Sequence, residues 1–429
     1  LSLFLAPALV KIGITLLLVL VLSRKLPLFV CLFAGTVVLG IWMKMPLVDV
    51  GISILRESTS ADTLLLAVVI ILILVLSGFL KETGQLERIV TSFHAISSDA
   101  RLTMAALPAL IGLLPMPGGA LFSAPMVESA SAANNIKPEL KVAVNYWFRH
   151  IWEYWWPLYP GIILSISLFG LDASKLMAAN IPLTVGAVIA GIIFILRHVS
   201  EATVVSTGQK TVRTRELIRE VEPIAVVILV FAAVQGSAFL AKYYTGQEWG
   251  FSKYGGLVVG LAAAIALVIR QNSLTVSEVR RVVLRPGILT MVMVIFAIMS
   301  FKGMLTESQA IVQVKQELAA YRIPPLVIIG LLPFISGVVT GIAIGFVGAS
   351  FPLVTALIPA GHSPFPYAVL AYGLGYMGMM LSPVHLCLIV TREYFGADMI
   401  AGYKYLWKPA CFSMAWTLGL FVLYKVVLG

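Results

Sequence analysis

The chain has 429 residues, 60% of them hydrophobic and 12% charged, against roughly 25% charge in soluble domains. This composition excludes a soluble globular protein and implies an integral membrane protein with several spans. A net charge of +10 could mark a nucleic-acid binder elsewhere, but here the placement of Lys and Arg about the spans is what informs.

Long apolar runs occur at Phe4 to Ser23, Leu26 to Met43, Asp62 to Leu80 and Met177 to Leu196 in the first half. In the second they occur at Ile224 to Leu240, Tyr254 to Ile269, Gly287 to Phe301 and Pro409 to Leu428. Most approach the roughly 20 residues that cross about 30 Å of hydrocarbon, and shorter ones can borrow flanking residues. No signal-peptide cleavage pattern precedes the first run.

Between the third and fourth runs lies Leu102 to Ala132, interrupted by Pro115, Met116, Pro117, Gly118 and Gly119. Two arms of about 13 residues reach only about 20 Å each, so the segment is predicted to be a re-entrant hairpin. Leu140 to Gly170 follows, about 46 Å if wholly helical, with Pro157, Pro160 and Gly161 inside it; a broken or strongly tilted helix is predicted. The second half repeats both features. Leu326 to Pro359 carries Ser336, Gly337, Thr340, Gly341, Gly345, Gly348 and Ser350, and Tyr367 to Glu393 is predicted to break at Ser382 and Pro383.

Ordered landmarks support an internal repeat. The phrase Ile111, Gly112, Leu113, Leu114, Pro115 recurs as Ile329, Gly330, Leu331, Leu332, Pro333, and is read as helix arm with Gly-rich turns after it. Upstream, Ser77 to Glu82 resembles Lys302 to Glu307. Downstream, Pro138 to Tyr146 lies on Pro364 to Tyr372, and the same register places Pro157 on Pro383 and Tyr159 on His385. Residues 1–196 form the first repeat, 197–222 a basic cytoplasmic linker and 223–429 the second repeat. Five true spans per half, an odd number, invert the second repeat relative to the first. With that topology one face holds about 19 cations against about 9, which makes it cytoplasmic and puts both termini outside. Non-helical backbone at membrane depth must be buried in protein or line a wet cavity, so the four interruptions are expected to gather around one site.

Candidate residues follow from chemistry at those breaks. Arg149, His150 and Glu153 are ionisable groups within a span, where such groups face a cavity or a partner. Arg149 and Glu153 have i, i+4 spacing and can equally neutralise each other as a structural pair. Trp152, Trp155 and Trp156 can stack on a ligand or anchor the helix at the interface. His385 is read as a substrate or proton contact against the alternative of a packing residue. Glu128 is a proton or cation site, or else solvated near the cytoplasmic face. Pro117, Gly118, Gly119, Gly337 and Gly341 let backbone approach a ligand. Ser123, Ser336, Thr340, Ser350, Ser382 and Pro383 complete the candidate set, with sodium at the hairpin tips as the candidate metal; helix packing by small residues is the competing reading. Cys31, Cys387 and Cys411 present no disulfide framework or metal-ligand spacing and are read as packing residues. No Walker motif, HExxH or GxSxG occurs, so neither ATP-driven transport nor a recognised enzyme motif is supported.

Leu114 to Glu128, with the Pro115 to Gly119 turn, and Ser382, Pro383, Val384, His385 resemble an uncharacterised integral-membrane family of the ion transporter superfamily, related to gluconate permeases and dicarboxylate and citrate carriers. The resemblance implies an all-α, elevator-type carrier, commonly a homodimer, whose moving domain (102–170 and 325–394) slides on a scaffold of the remaining spans. The Ser-Asn-Thr signatures that bind sodium and carboxylate in the dicarboxylate branch do not occur at either tip. The expected protein is a secondary active transporter in a prokaryotic inner membrane, not an enzyme, moving a small organic anion coupled to Na+ or H+, with no other cofactor and no nucleic-acid partner. An ion antiporter and an intramembrane lipid-processing enzyme are the alternatives.

Overall fold

The computed structural model describes residues 6–85, 88, 89, 92, 100–116, 119–131, 136–199, 210–246 and 254–428, with backbone alone for 100, 210–217 and 428. Among the described residues there is no strand. The first half contains α1 (Ala8–Leu22), α2 (Leu28–Trp42), α3 (Leu47–Ser58), α4 (Ala61–Glu82), α5 (Ala100–Ile111), α6 (Ala120–Ser131), α7 (Pro138–Arg149), α8 (Pro160–Phe169) and α9 (Ala173–Phe194). The second contains α10 (Lys210–Thr245), α11 (Gly255–Gln271), α12 (Val276–Val283), α13 (Pro286–Glu307), α14 (Ala310–Ala320), α15 (Pro325–Thr340), α16 (Ala343–Leu357), α17 (Pro364–Met380), α18 (Leu386–Phe395) and α19 (Met399–Leu428).

Each of the eight apolar runs contains or lies within a helix. Among the described residues, five stretches are long and apolar enough to cross a membrane: Ala61–Glu82, Ala173–His198, Ile218–Thr245, Val276–Glu307 and Met399–Val427. Helices α1 and α2 have 15 residues each and α11 has 17, shorter than a full crossing, because Pro7 and Pro27 set the starts of the first two. Residues 210–222 of the expected linker are helical and run on into the span of α10. Helices α3, α12 and α14 lie outside the predicted spans. Of these, α12 is opened by a reciprocal capping box between Thr275 and Glu278. Helix α14 turns into α15 through a 117° bend and its Glu317 carboxylate accepts the Ala8 and Leu9 amides at 2.6 and 2.7 Å, capping α1.

Each segment expected to be a hairpin holds two helices, and each expected broken helix is two helices with a break between them. Helices α5 and α6 pack together, as do α15 and α16. The two broken helices end alike: α8 and α18 are both 10 residues long, start directly after Tyr159 and His385, and stop at left-handed Gly170 (φ 64°) and Gly396 (φ 62°), a conformation glycine adopts without strain. Asp172 and Asp398 then accept amides at the start of α9 and α19. Tyr146 and Tyr372, paired by the same register, brace opposite halves: Tyr146 Oη donates to the Met380 carbonyl at 3.0 Å and Tyr372 Oη to the Glu153 carbonyl at 2.8 Å.

Helices α4 and α13, 22 residues each, pack side by side. Glu82 at the end of α4 pairs with Arg285 at the start of α13, and Glu307 at the end of α13 pairs with Arg56 of α3, so the two helices run antiparallel. Lipid supplies no hydrophobic drive between helices, so close contact relies on small residues. A Cβ on Gly337 of α15 would meet the Gly375 carbonyl of α17, and one on Gly378 would meet the Phe334 carbonyl.

The repeated phrase differs from its expectation. Its second copy lies inside α15, but in the first copy only Ile111 is helical, and Gly112 to Pro115 form a turn. The cause is the neighbouring broken helix. Trp152 Nε1 donates to the Ala109 carbonyl at 2.9 Å, Trp156 Nε1 to Leu113 at 2.8 Å, and Tyr159 Oη to Gly112 at 2.6 Å. Side chains thereby satisfy carbonyls that lack helical partners. Gly112 itself packs on the Arg149 carbonyl, with no room for a Cβ.

Candidate functional site

All four interruptions border one cavity of about 270 Å³. Pro115 and Met116 come from the first hairpin, Gly341 to Ile344 from the second, Arg149 to Gly161 from the first broken helix and Met379 to Cys387 from the second; Leu74 of α4 and Met291 of α13 close it from outside. Three helices begin there: Tyr159 to Gly161 at α8, Ile342 to Ile344 at α16 and His385 to Cys387 at α18. The first two starts touch, since a Cβ on Gly161 would lie 3.0 Å from that of Ala343. Gly341 ends α15 with φ 63°, and a Cβ there would stand 3.0 Å from Ser382 Oγ, which itself donates to the Val338 carbonyl at 2.7 Å. The left-handed residue and the serine together set the second turn.

Arg149 ends α7 and is 2% exposed. Its Nη2 donates to the Met116 carbonyl at 2.8 Å, and a Cβ on Gly119 would come 2.5 Å from the same nitrogen, so the guanidinium sits on the first hairpin turn. Its Nη1 lies 3.8 Å from Glu153 Oε1 and 3.4 Å from His150 Nε2. Burying a charge requires such pairing; Arg149 lies beside Glu153 and borders the cavity. His150 Nδ1 donates to the Tyr146 carbonyl at 2.6 Å, which fixes the tautomer and leaves Nε2 as acceptor. His385 stacks edge-on against His150 at 4.9 Å and Tyr146 at 5.2 Å.

Of the remaining candidates, Pro117 and Gly118 lie outside the described residues. Gly119 is buried under Arg149. Ser123, Thr340 and Ser350 donate to carbonyls of their own helices at 3.3, 2.7 and 2.6 Å, and Ser336 is buried behind the tip. Gly337 packs on α17, and Pro383 is exposed. None of the described residues among these borders the cavity. Glu128 is apart from it, 49% exposed and held by Lys141 at 3.0 Å beside Tyr394 and Phe395. The tryptophans serve the first hairpin: Trp152 and Trp156 donate to its carbonyls.

Sequence reasoning missed Cys387. Cys31 is buried in packing and Cys411 is exposed, but Cys387 lines the cavity two residues after His385, and its sulfur lies within 4.8 Å of ring nitrogens of His150 and His385. His150 and Cys387 belong to different broken helices, so no spacing along the chain reveals the cluster; the short His385, Leu386, Cys387 run was the available signal.

No functionally curated protein matches the sequence. The fold is similar to that of MtrF from Neisseria gonorrhoeae, whose structure is described as illuminating a class of antimetabolite efflux pumps, with 13% identity, a TM-score of 0.55, and coverage of 89% of this chain and 85% of that one. With five described helices long and apolar enough to cross a membrane, the protein is an integral membrane protein that shares this fold. Residues 7–241 and 250–427 match the family described as "Protein of unknown function (DUF401)", and the chain belongs to that family.

Proposed function

We propose that the protein is a secondary active transporter that moves a small organic anion through the cavity between its hairpins and broken helices. One observation carries this reading: the starts of α8, α16 and α18 and the Arg149 guanidinium all face one cavity. Helix N-termini offer amides and partial positive charge, and with a guanidinium they favour an anion. A volume of about 270 Å³ falls just below the range of drug-sized sites and suits a small carboxylate. Glu153, His150 and His385 are the groups available for proton coupling, with Na+ at the breaks as the other driving ion.

The antiparallel pairing of α4 and α13 and the matched ends of α8 and α18 support two inverted repeats. In this reading 102–170 and 325–394 form the moving domain and the other spans the scaffold, in a homodimer with both termini outside. The likeness of fold to MtrF, described as an efflux pump, favours a carrier over an intramembrane enzyme. Kinship with gluconate permeases and dicarboxylate and citrate carriers belongs to the same proposal.

The test is a thermal-shift screen of organic acids on purified protein, with and without sodium and across pH, followed by counterflow in proteoliposomes. A true substrate at about 100 times its Kd stabilises by about 2.7 kcal/mol, and Arg149→Gln is expected to abolish that shift. Stabilisation by no organic anion under any condition sinks the proposal; a response to sodium or protons alone turns it to ion antiport.

A further inference from the structure

We propose that His150, His385 and Cys387 form a three-ligand site for a thiophilic d10 metal ion, with Zn2+ as its type, inside the cavity. Their donor atoms all lie within 4.8 Å of one another, and all three residues are buried. In a tetrahedral zinc site, metal–nitrogen bonds of about 2.0–2.1 Å and a metal–sulfur bond of about 2.3 Å set the ligand atoms about 3.3–3.6 Å apart. The three donors therefore need to close by only about 1 Å, a side-chain adjustment.

Two further observations point to a ligand. His150 Nδ1 donates to the Tyr146 carbonyl at 2.6 Å. Metal-bound histidines are held in this way, with one ring N–H on a carbonyl and the other nitrogen free for the ion. His385, 6% exposed, has a buried Nδ1 without a hydrogen-bond partner among the described residues. Buried polar atoms are seldom left unsatisfied, and an ion coordinated there would satisfy it.

The donor set identifies the ion. Two imidazoles and a thiolate suit Zn2+ and Cu+, whereas Mg2+ and Ca2+ require oxygen. Charge separates the two ions: Cu+ on the Cys387 thiolate leaves the site neutral, whereas Zn2+ leaves a place for an anion. Arg149 and Glu153 cancel, and Zn2+ on the Cys387 thiolate leaves one positive charge, since coordination releases the thiol proton to water. An anion in the open fourth position neutralises it. Arg149 gives up the contact of Nη1 with His150 Nε2, 3.4 Å, on metal binding and keeps Nη2 on the Met116 carbonyl and Nη1 beside Glu153. The site shares the cavity of the proposed carrier, whose cargo would fill the fourth position, but the ligand set itself does not depend on transport.

The test uses the full-length protein purified in detergent and titrated with Co2+ as a spectroscopic stand-in for Zn2+, then with Zn2+ and Cu+ in competition. The expected result is about one Co2+ per chain with a thiolate-to-cobalt charge-transfer band, displaced by Zn2+ or by Cu+. Cys387→Ser loses the band, and His385→Ala weakens binding by more than about 100-fold, beyond the 10–100-fold cost of removing an outer partner. Cys411→Ser, outside the cavity, retains both. Absence of the band in the unmutated protein overturns the proposal regardless of how the variants fold, as does its survival in Cys387→Ser. Organic-acid counterflow without a cobalt band removes the metal and spares the carrier; a cobalt band without acid transport does the reverse.

Discussion

In the first hairpin Gly112 to Pro115 leave the helix, whereas in the second Ile329 to Pro333 stay inside α15. The phrase is the same, so the difference lies in what faces it. In the register that lays Pro138 on Pro364, Arg149, Trp152, Trp156 and Tyr159 stand opposite Gly375, Gly378, Ser382 and His385. Large donors on the first broken helix reach the carbonyls of Met116, Ala109, Leu113 and Gly112 and hold them out of a helix. The second broken helix offers glycines, so α15 keeps its own backbone bonds and packs closely on α17. Local conformation was decided by the partner surface, through satisfaction of backbone carbonyls.

The contrast breaks most readily at Arg149. Arg149→Ala leaves Glu153 without its buried partner and the Met116 carbonyl without its donor, and is expected to cost about 3–5 kcal/mol. In detergent melts this should appear together with new thiol labelling at a cysteine introduced at Leu113 but none at Ile342; equal labelling would mean that the guanidinium does not hold the first turn specifically. On the other side, Gly378→Ala forces a methyl onto the Phe334 carbonyl and is expected to destabilise by about 1–3 kcal/mol, because backbone on both sides resists a shift. A neutral melting temperature would mean that α15 and α17 are not closely apposed. Tyr159→Phe keeps the ring but orphans the Gly112 carbonyl, for a loss of about 1–3 kcal/mol, and should raise amide exchange in the first hairpin alone. Ser382→Ala removes one brace to Val338 and is expected to cost only about 0.5–1.5 kcal/mol. A larger loss than that of Tyr159→Phe would reverse the view that side chains matter more to the first turn.

Much of the architecture was legible because Gly and Pro mark where a membrane helix must stop. Pro115 with Met116, Pro157 with Pro160, and Ser382 with Pro383 each fall at an observed interruption. The slot shared by Tyr159 and His385 is the start of a half-helix in both halves. What the sequence concealed were contacts across the fold. Glu128 has the chemistry of an ion site, but Lys141 on α7 holds it away from the cavity. Ser123, Thr340 and Ser350 have suitable oxygens, but they turn back onto their own helices, a local option that hydroxyls take in apolar surroundings. Cys387 reads as a packing residue until α18 is set against the break that holds His150.

The contact between Glu317 and α1 bears on biogenesis. The Ala8 and Leu9 amides have their cap 309 and 308 residues further along the chain. At about 5–20 residues per second, the ribosome delivers that carboxylate about 15–60 s after the first helix emerges. Helix α1 therefore enters the bilayer with this end open, and it is fastened only once the second hairpin is about to be made. A segment synthesised well before its cap is among the last to be secured.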